Sequence, residues 1–346
     1  MPTPLLISRD PSLADAVLAS AAAVRVEPVI ARDTEAIRRA WPGADLVLVG
    51  VDLAATVVGL GLPPRRGVHV CGPDADSLLA WSVPLEAPAM VLPEQSGFLS
   101  SLLVGRDELR SNGAAVLRLV GGSGGLGTTT LAAGLAQRAQ RRGLDAALVE
   151  LDPLGGGIDL LFGAEQAPGW RWPDLSSAAG HVGDLKGQLP NVSGVDIVSM
   201  GRPALPDDSG GSGEPGLPRP EAVHAVLAGL VRGRELVVLD AGTHPDPSFA
   251  AQAQTLLVVG AEVKAVVAAR ARAIALRLSG AQLVVRTGPG RRLDPALVAD
   301  TLGMPLCGTV GHAGWLPQAL ESGEPPGLGR RRFSRECDRI LAEALA

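Results

Sequence analysis

At 346 residues the chain is long enough for two domains of ordinary size, each with its own core. It carries 31 lysines and arginines against 36 acidic residues, a formal net charge of −5, which gives no ground for bulk attraction to nucleic acid. Cys71, Cys307 and Cys337 are too far apart, and odd in number, for a disulfide framework or a zinc site, and a reducing cytosol is the simplest setting.

The opening stretch MPTPLLISRDPSLADAV lacks the basic segment followed by an apolar one that marks a signal peptide. No apolar run reaches the roughly 18–20 residues needed to span a bilayer, so any membrane contact is expected to be peripheral or indirect. PLLIS (Pro4–Ser8) reads as a strand and SLADAVLASAAA (Ser12–Ala23) as a helix. DLVLVGV (Asp45–Val51) is a continuous apolar strand of the buried, parallel kind, followed by GVHVCG (Gly67–Gly72) and PAMVLP (Pro88–Pro93). Strands alternating with helices predict βαβ units and a parallel sheet. GFLSSLLVGRDELRSNG (Gly97–Gly113) is read as a terminal helix and linker, which divides the chain into residues 1–110 and 111–346.

The second region opens with the strand AAVLRLV (Ala114–Val120), a glycine loop, and the helix TTLAAGLAQRAQRR (Thr129–Arg142). DAALVEL (Asp145–Leu151) is the next strand. Residues 201–220, rich in Pro, Gly, Ser and Asp, predict a disordered insertion. Beyond it come the helix EAVHAVLAGLVR (Glu221–Arg232) and the strands ELVVLD (Glu235–Asp240), QTLLVVG (Gln254–Gly260) and AQLVVR (Ala281–Arg286). Helices are expected near 262–278, 293–303, 313–321 and 333–345.

The loop carries the chemistry. Gly122 and Gly127 are spaced as in G-x-x-x-x-G-K-[ST], but Thr128 stands where lysine is expected. A glycine turn between a buried strand and a helix aims several backbone N–H groups at one point, and the helix dipole adds positive potential there, so phosphate can be held without a side-chain cation. The candidate nucleotide-binding residues are Gly122, Ser123, Gly124, Gly125, Leu126, Gly127, Thr128, Thr129 and Thr130. The alternative is a tight strand-to-helix turn with no ligand. A Mg-nucleotide site also needs a hydroxyl on the metal and a strand-end carboxylate. Thr129 and Asp240 fit those two roles, and Asp152, closing ALVELD, could orient an attacking water. A strand-end aspartate can also merely cap the next helix.

Taken together, GSGGLGTTTL (Gly122–Leu131) resembles the deviant phosphate loop of the MinD/ParA family of dimerising ATPases. VELDPLGGGIDLLFG (Val149–Gly163) is similar to that family's first switch, with Glu150 and Asp152 in the two acidic places. DAGT (Asp240–Thr243) is similar to the second switch, and LGMPLCGTVGHAGWLPQALESGEPPG (Leu302–Gly327) to the family's C-terminal pattern. The resemblance implies ATP and Mg2+ as ligands and a P-loop fold with a mostly parallel sheet flanked by helices. The departures are specific. The family's signature lysine falls on Ser123 and its phosphate-loop lysine on Thr128, while LVVRTG (Leu283–Gly288) puts Arg286 near the family's adenine-contacting asparagine. Losing such a contact costs a few kcal/mol of transition-state stabilisation, a rate drop on the order of hundred-fold or more, so binding is the firmer expectation than rapid hydrolysis.

The first region resembles a receiver domain of the flavodoxin-like kind, in which Ser8 and Arg9 replace the acidic pair and Gly50 falls on the phosphoacceptor place, with Asp52 two residues on. Phosphorylation needs a carboxylate cluster holding Mg2+, which is missing, so a degenerate docking domain is expected. A receiver-like domain joined to a MinD/ParA-like one resembles the CpaE/TadZ proteins of Tad pilus assembly and, more narrowly, the actinobacterial septum site-determining group. That implies a cytoplasmic spatial regulator at the inner face of the membrane, with septal or pilus protein partners and a homodimer left open. Its alternatives are a slow ATPase with a dimer cycle and a nucleotide-free scaffold.

His69, His181, His224, His244 and His312 show no metal spacing. Trp170 and Trp172 could contact a partner or pack under the switch-like segment. The terminal helix SRECDRILAEAL (Ser334–Leu345), after the basic RRRF (Arg330–Phe333), is read as a structural closing helix rather than a lipid-binding one.

Overall fold

The computed structural model describes residues 3–65, 67–85, 87–96, 99–100, 102–103, 114–176, 178, 182–201, 219–243, 253–278, 280–329 and 331–346. Most of the expected 97–113 helix and linker, nearly all of the 201–220 insertion, and His181, His244 and Arg330 lie outside the described residues. Contacts divide the chain into two compact units, Met1–Ser111 with Ala178–Val182, and Asn112–Ser177 with Gly183–Ala346.

The first unit is a five-stranded, all-parallel sheet of β1 (Thr3–Ile7), β2 (Val29–Ala31), β3 (Ala44–Gly50), β4 (Val68–Gly72) and β5 (Ala89–Val91), in the order β2-β1-β3-β4-β5. This is the flavodoxin-like strand order. Helices α1 (Pro11–Ala23), α2 (Thr34–Ala40), α3 (Val51–Gly59) and α4 (Ala75–Ser82) alternate with the strands. Three of them start where an aspartate caps the first turn, Asp10 on the Ser12 amide, Asp33 on Ala36 and Asp74 on Ser77, each at 2.8–2.9 Å. Both faces of the sheet are covered, Leu5, Ile7, Val47 and Val49 feeding one core and Leu6, Leu46 and Leu48 the other. That is why DLVLV is apolar at every position instead of alternating.

The second unit holds an eight-stranded sheet. Its strands are β6 (Ala115–Gly121), β7 (Ala146–Glu150), β8 (Asn191–Val192), β9 (Val195–Val198), β10 (Leu236–Asp240), β11 (Gln254–Gly260), β12 (Gln282–Arg286) and β13 (Leu306–Val310). They run β13-β12-β11-β6-β10-β7-β9-β8, all parallel except the β8–β9 hairpin at one edge. Helices α5 (Thr128–Arg141), α6 (Trp172–Leu175), α7 (Pro220–Gly233), α8 (Val263–Ala275), α9 (Pro295–Leu302), α10 (Leu316–Glu321) and α11 (Arg332–Ala344) complete it. The chain order reverses around β6, whose neighbours β10 and β11 come later in sequence, so the carboxyl end of β6 opens at a switch point where such sheets bind ligands.

Helix α11 closes the core as expected. Phe333, Cys337, Ile340 and Leu341 are buried in one cluster with Leu131 and Leu135 of α5. Gly134 makes the approach possible, since a Cβ there would lie 2.7 Å from the Phe333 ring. Arg138 clamps Asp338 through two bonds of 3.0 and 2.9 Å, fixing the register of the two helices.

Candidate nucleotide site

The glycine loop is held between its two neighbouring strands. The Gly121 amide donates to Gly242 and the Gly122 amide to Val258, both at 2.8 Å. A Cβ on Gly122 would sit 2.9 Å from both the Val258 carbonyl and the Ala269 side chain, so only glycine fits. Gly125 (φ 71) and Gly127 (φ 70) take left-handed conformations that turn the chain into α5. Leu126 packs into the core and anchors the loop from beneath, while Gly124 and Gly125 are exposed. No side chain caps α5, so the amides of its first turn remain available as donors.

Of the two lysine positions, Ser123 is half-buried and Thr128 is buried. The Thr128 hydroxyl lies 3.0 Å from the point a Gly121 Cβ would take, so it turns back under the loop. Thr130 is half-buried on the same turn.

The structure brings Thr129, Asp240 and Asp152 together. The Thr129 hydroxyl donates to Asp240, which is buried and also accepts from the Gly242 amide at 3.3 Å. Burial pushes the Asp240 carboxyl above its ordinary range, the two hydrogen bonds oppose this, and the nearby Asp152 charge adds to it. Asp152 lies over Gly242 (φ 56), where a Cβ would collide with its carboxylate, and it accepts the Leu154 amide at 3.1 Å. One hydroxyl and one carboxylate suit Mg2+, which keeps waters and takes phosphate oxygens for the rest of its shell. No group of three or more metal-binding side chains occurs among the described residues. Thr129 and Asp240 alone would not enclose a metal ion, and they would suit Mg2+ only with a polyphosphate and waters completing its shell.

Glu150, in the first acidic place of the switch-like segment, has a different task. It is buried and accepts the amides of Gly157 (3.3 Å), Ile158 (3.1 Å) and Met200 (2.7 Å). Burial raises its carboxyl, those amides lower it, and Asp240 raises it further. Trp172 is buried and donates to the Glu150 carbonyl at 2.6 Å, so this tryptophan packs under the switch-like segment, whereas Trp170 is exposed. Arg171 ties the same segment together through Asp159 (2.9 Å) and the carbonyls of Ala164, Glu165 and Ala167.

The two lysines of the chain do not make up the deficit. Lys186 pairs with Asp145 at 2.8 Å, beside the start of β7 and so at the opposite edge of the sheet from the loop. Lys264 is exposed on the first turn of α8. The cations at the loop are arginines. Arg272 donates to the Gly121 carbonyl at 2.6 Å and Arg291 to Gly125 at 3.4 Å, while the Arg286 guanidinium lies beside Gly127. Nothing local in the sequence marks Arg272 or Arg291 for this place.

Residues 7–113 match the family described as Rv3660c-like, CheY-like N-terminal domain. The uncharacterized protein Rv3660c of Mycobacterium tuberculosis is 33% identical, over 97% of this chain and 93% of that protein. The chain belongs to the Rv3660c family. Among solved structures, its second unit has the fold of MinD/ParA proteins. A ParA family ATPase from Chlorobium tepidum matches with a TM-score of 0.55 at 16% identity, over 68% of this chain and 99% of that one. The MinC:MinD cell division protein complex of Aquifex aeolicus matches with a TM-score of 0.52 at 19% identity, over 66% of this chain and 95% of that one.

In this Rv3660c-family chain, residues at the ends of β1 and β3 of the CheY-like unit are bonded to one another. Gly50 ends β3 and Asp52 sits on the first turn of α3. The Asp52 carboxylate accepts from the Ser8 hydroxyl (2.9 Å) and the Arg9 amide (2.7 Å). It fills the space above Gly50, where a Cβ would run into it and stand 2.8 Å from the Ser8 hydroxyl. Asp52 thus locks the β1–α1 and β3–α3 turns to one another.

Proposed function

We propose that this protein is a spatial regulator of septum formation or Tad-type pilus assembly that binds ATP and Mg2+ weakly through residues 122–130 and acts through protein contacts. The observation that carries the nucleotide half is the convergence of an uncapped helix, the Thr129–Asp240 pair and Asp152 on one sheet edge. A ligandless strand-to-helix turn has no need of a hydroxyl bonded to a buried carboxylate beside a second carboxylate. The positioning role is carried by likeness. The fold is shared with MinD, whose complex with MinC supports protein partners here and, with the ParA likeness, a homodimer. No helix among the described residues is long and apolar enough to cross a membrane, which suits contact with the inner face through partners.

Calorimetric titration of the full chain with MgATP tests the reading. Weak saturable binding is expected, lost or weakened at least about ten-fold in Thr129→Ala and Asp240→Ala, since each removes a group from the metal's first shell. Absence of heat with the wild type would leave a nucleotide-free scaffold. A second reading, a slow ATPase with a dimer cycle, is favoured by the seat of Asp152 against Gly242. Phosphate release above background that Asp152→Ala abolishes would establish it.

A further inference from the structure

The charge around the loop is not what its threonines and serine suggest. Arg286, at the end of β12, places Nη2 3.6 Å from the point a Gly127 Cβ would take. Its Nη1 reaches the Gly311 carbonyl only at 3.5 Å, and its buried Nε has no hydrogen-bond partner. Arg291 extends over the loop to Gly125, with its nearest carboxylate, Glu262, 4.0 Å away. Arg272 is different, because its short bond to the Gly121 carbonyl holds the end of β6.

A guanidinium beside the first turn of a helix is in an unfavourable place, because the dipole's positive end and a second cation repel it. Burial, then Arg291, both weaken Arg286's hold on its proton, with Glu336 and Cys337 acting the other way. Glu336 is itself engaged by the Gly311 amide (3.1 Å) and by Arg332 (2.8 Å). Two arginines with spare donors, next to uncapped amides and a Thr–Asp pair suited to Mg2+, have the chemistry to receive a multiply charged anion. Guanidinium groups match phosphate oxygens in a planar fork.

We propose that Arg286, assisted by Arg291, supplies to a bound polyphosphate the positive charge that Ser123 and Thr128 cannot. This rests on the reading of residues 122–130 as a nucleotide site, and it changes the chemistry of that site. The cation arrives from the far strands of the sheet and not from within the loop, so phosphate binding depends on where β12 and the turn after it lie.

The test titrates sodium tripolyphosphate and, separately, MgATP against the full chain and four variants. Arg286→Ala is expected to weaken tripolyphosphate binding about ten-fold or more, as loss of one charge-assisted contact does. Arg286→Lys should recover part of it, Arg291→Ala should lose less, with a loss that salt diminishes, and Arg335→Ala, on an exposed face of α11, should bind as wild type. If thermal melting shows that Arg286→Ala does not fold, Arg286→Gln is read in its place. Unchanged or tighter tripolyphosphate binding in Arg286→Ala overturns the proposal, the tighter result meaning that the guanidinium blocks the loop. Wild-type binding of tripolyphosphate but not MgATP, with the Arg286 loss, keeps the charge assignment and ends the nucleotide reading. MgATP binding indifferent to Arg286 does the reverse. No binding of either probe ends both.

Discussion

A buried carboxylate among backbone amides and one facing a hydroxyl look alike in sequence, and Glu150 and Asp240 show how differently they behave. The resemblance puts Glu150 beside Asp152 in the first switch, and in the structure its oxygens accept three amides, those of Gly157, Ile158 and Met200. Glu150→Ala should therefore destabilise the protein by about 1–3 kcal/mol or more, read as a lower denaturant midpoint, because it strands buried donors. Thr129→Ala should lower that midpoint less, because Asp240 keeps the Gly242 amide, and its larger effect should fall on ligand binding. That Thr129, Asp240 and Asp152 lie near one another could be expected from the sequence, since Thr129 opens α5, Asp240 ends β10 and Asp152 follows the end of β7 by two residues. Arg286 was legible as a position but not as a cation at Gly127, and Arg291 not at all. Their meeting with the loop depends on the order in which β6, β11 and β12 lie side by side.

At the scale of elements, the apolar strands β1, β3, β4, β5, β6, β7, β10, β11 and β12 and the helices α1, α5, α7, α8, α9, α10 and α11 could be read directly. The elements without a clear sequence signal are short: α2, α3 and α4 have seven, nine and eight residues, β2 three and β8 two, and the β8–β9 hairpin turns through Ser193 (φ 51) and Gly194 (φ 87). The contact between α5 and α11 gives a second prediction. Gly134→Ala should cost about 1–3 kcal/mol, measured by chemical denaturation, because the added methyl meets the Phe333 ring and the Cys337 sulfur in a filled core. In the first unit, Gly50→Asp should not create an acceptor. The new side chain meets Asp52 and Ser8, so incubation with a small-molecule phosphodonor is expected to leave the variant unmodified and less stable than wild type.

For the whole molecule, the three cysteines behave as core residues in both units. Burial pushes the Cys71 thiol from 9.0 up to about 12 and Cys307 to about 11, and raises Cys337 as well, with help from Asp338 and Glu336. Native protein then holds thiol protons that the unfolded chain releases. Their contribution is fully present below the ordinary thiol range and is lost as pH climbs through it toward these raised values. Stability should fall by about 1 kcal/mol per buried thiol by about pH 10, and Cys71→Ala should flatten the dependence. The chain has no tyrosine to titrate across the same window. Packing within the second unit sets the loop, the Thr–Asp pair and the arginines on one sheet edge. The most direct measurement is a crystal structure of the full chain with magnesium and a non-hydrolysable ATP analogue. The account predicts phosphate density against the amides of residues 124–129, Mg2+ between Thr129 and Asp240, and Arg286 on a phosphate oxygen. A vacant loop at saturating analogue, or the Arg286 guanidinium lying where the phosphates should be, would contradict it.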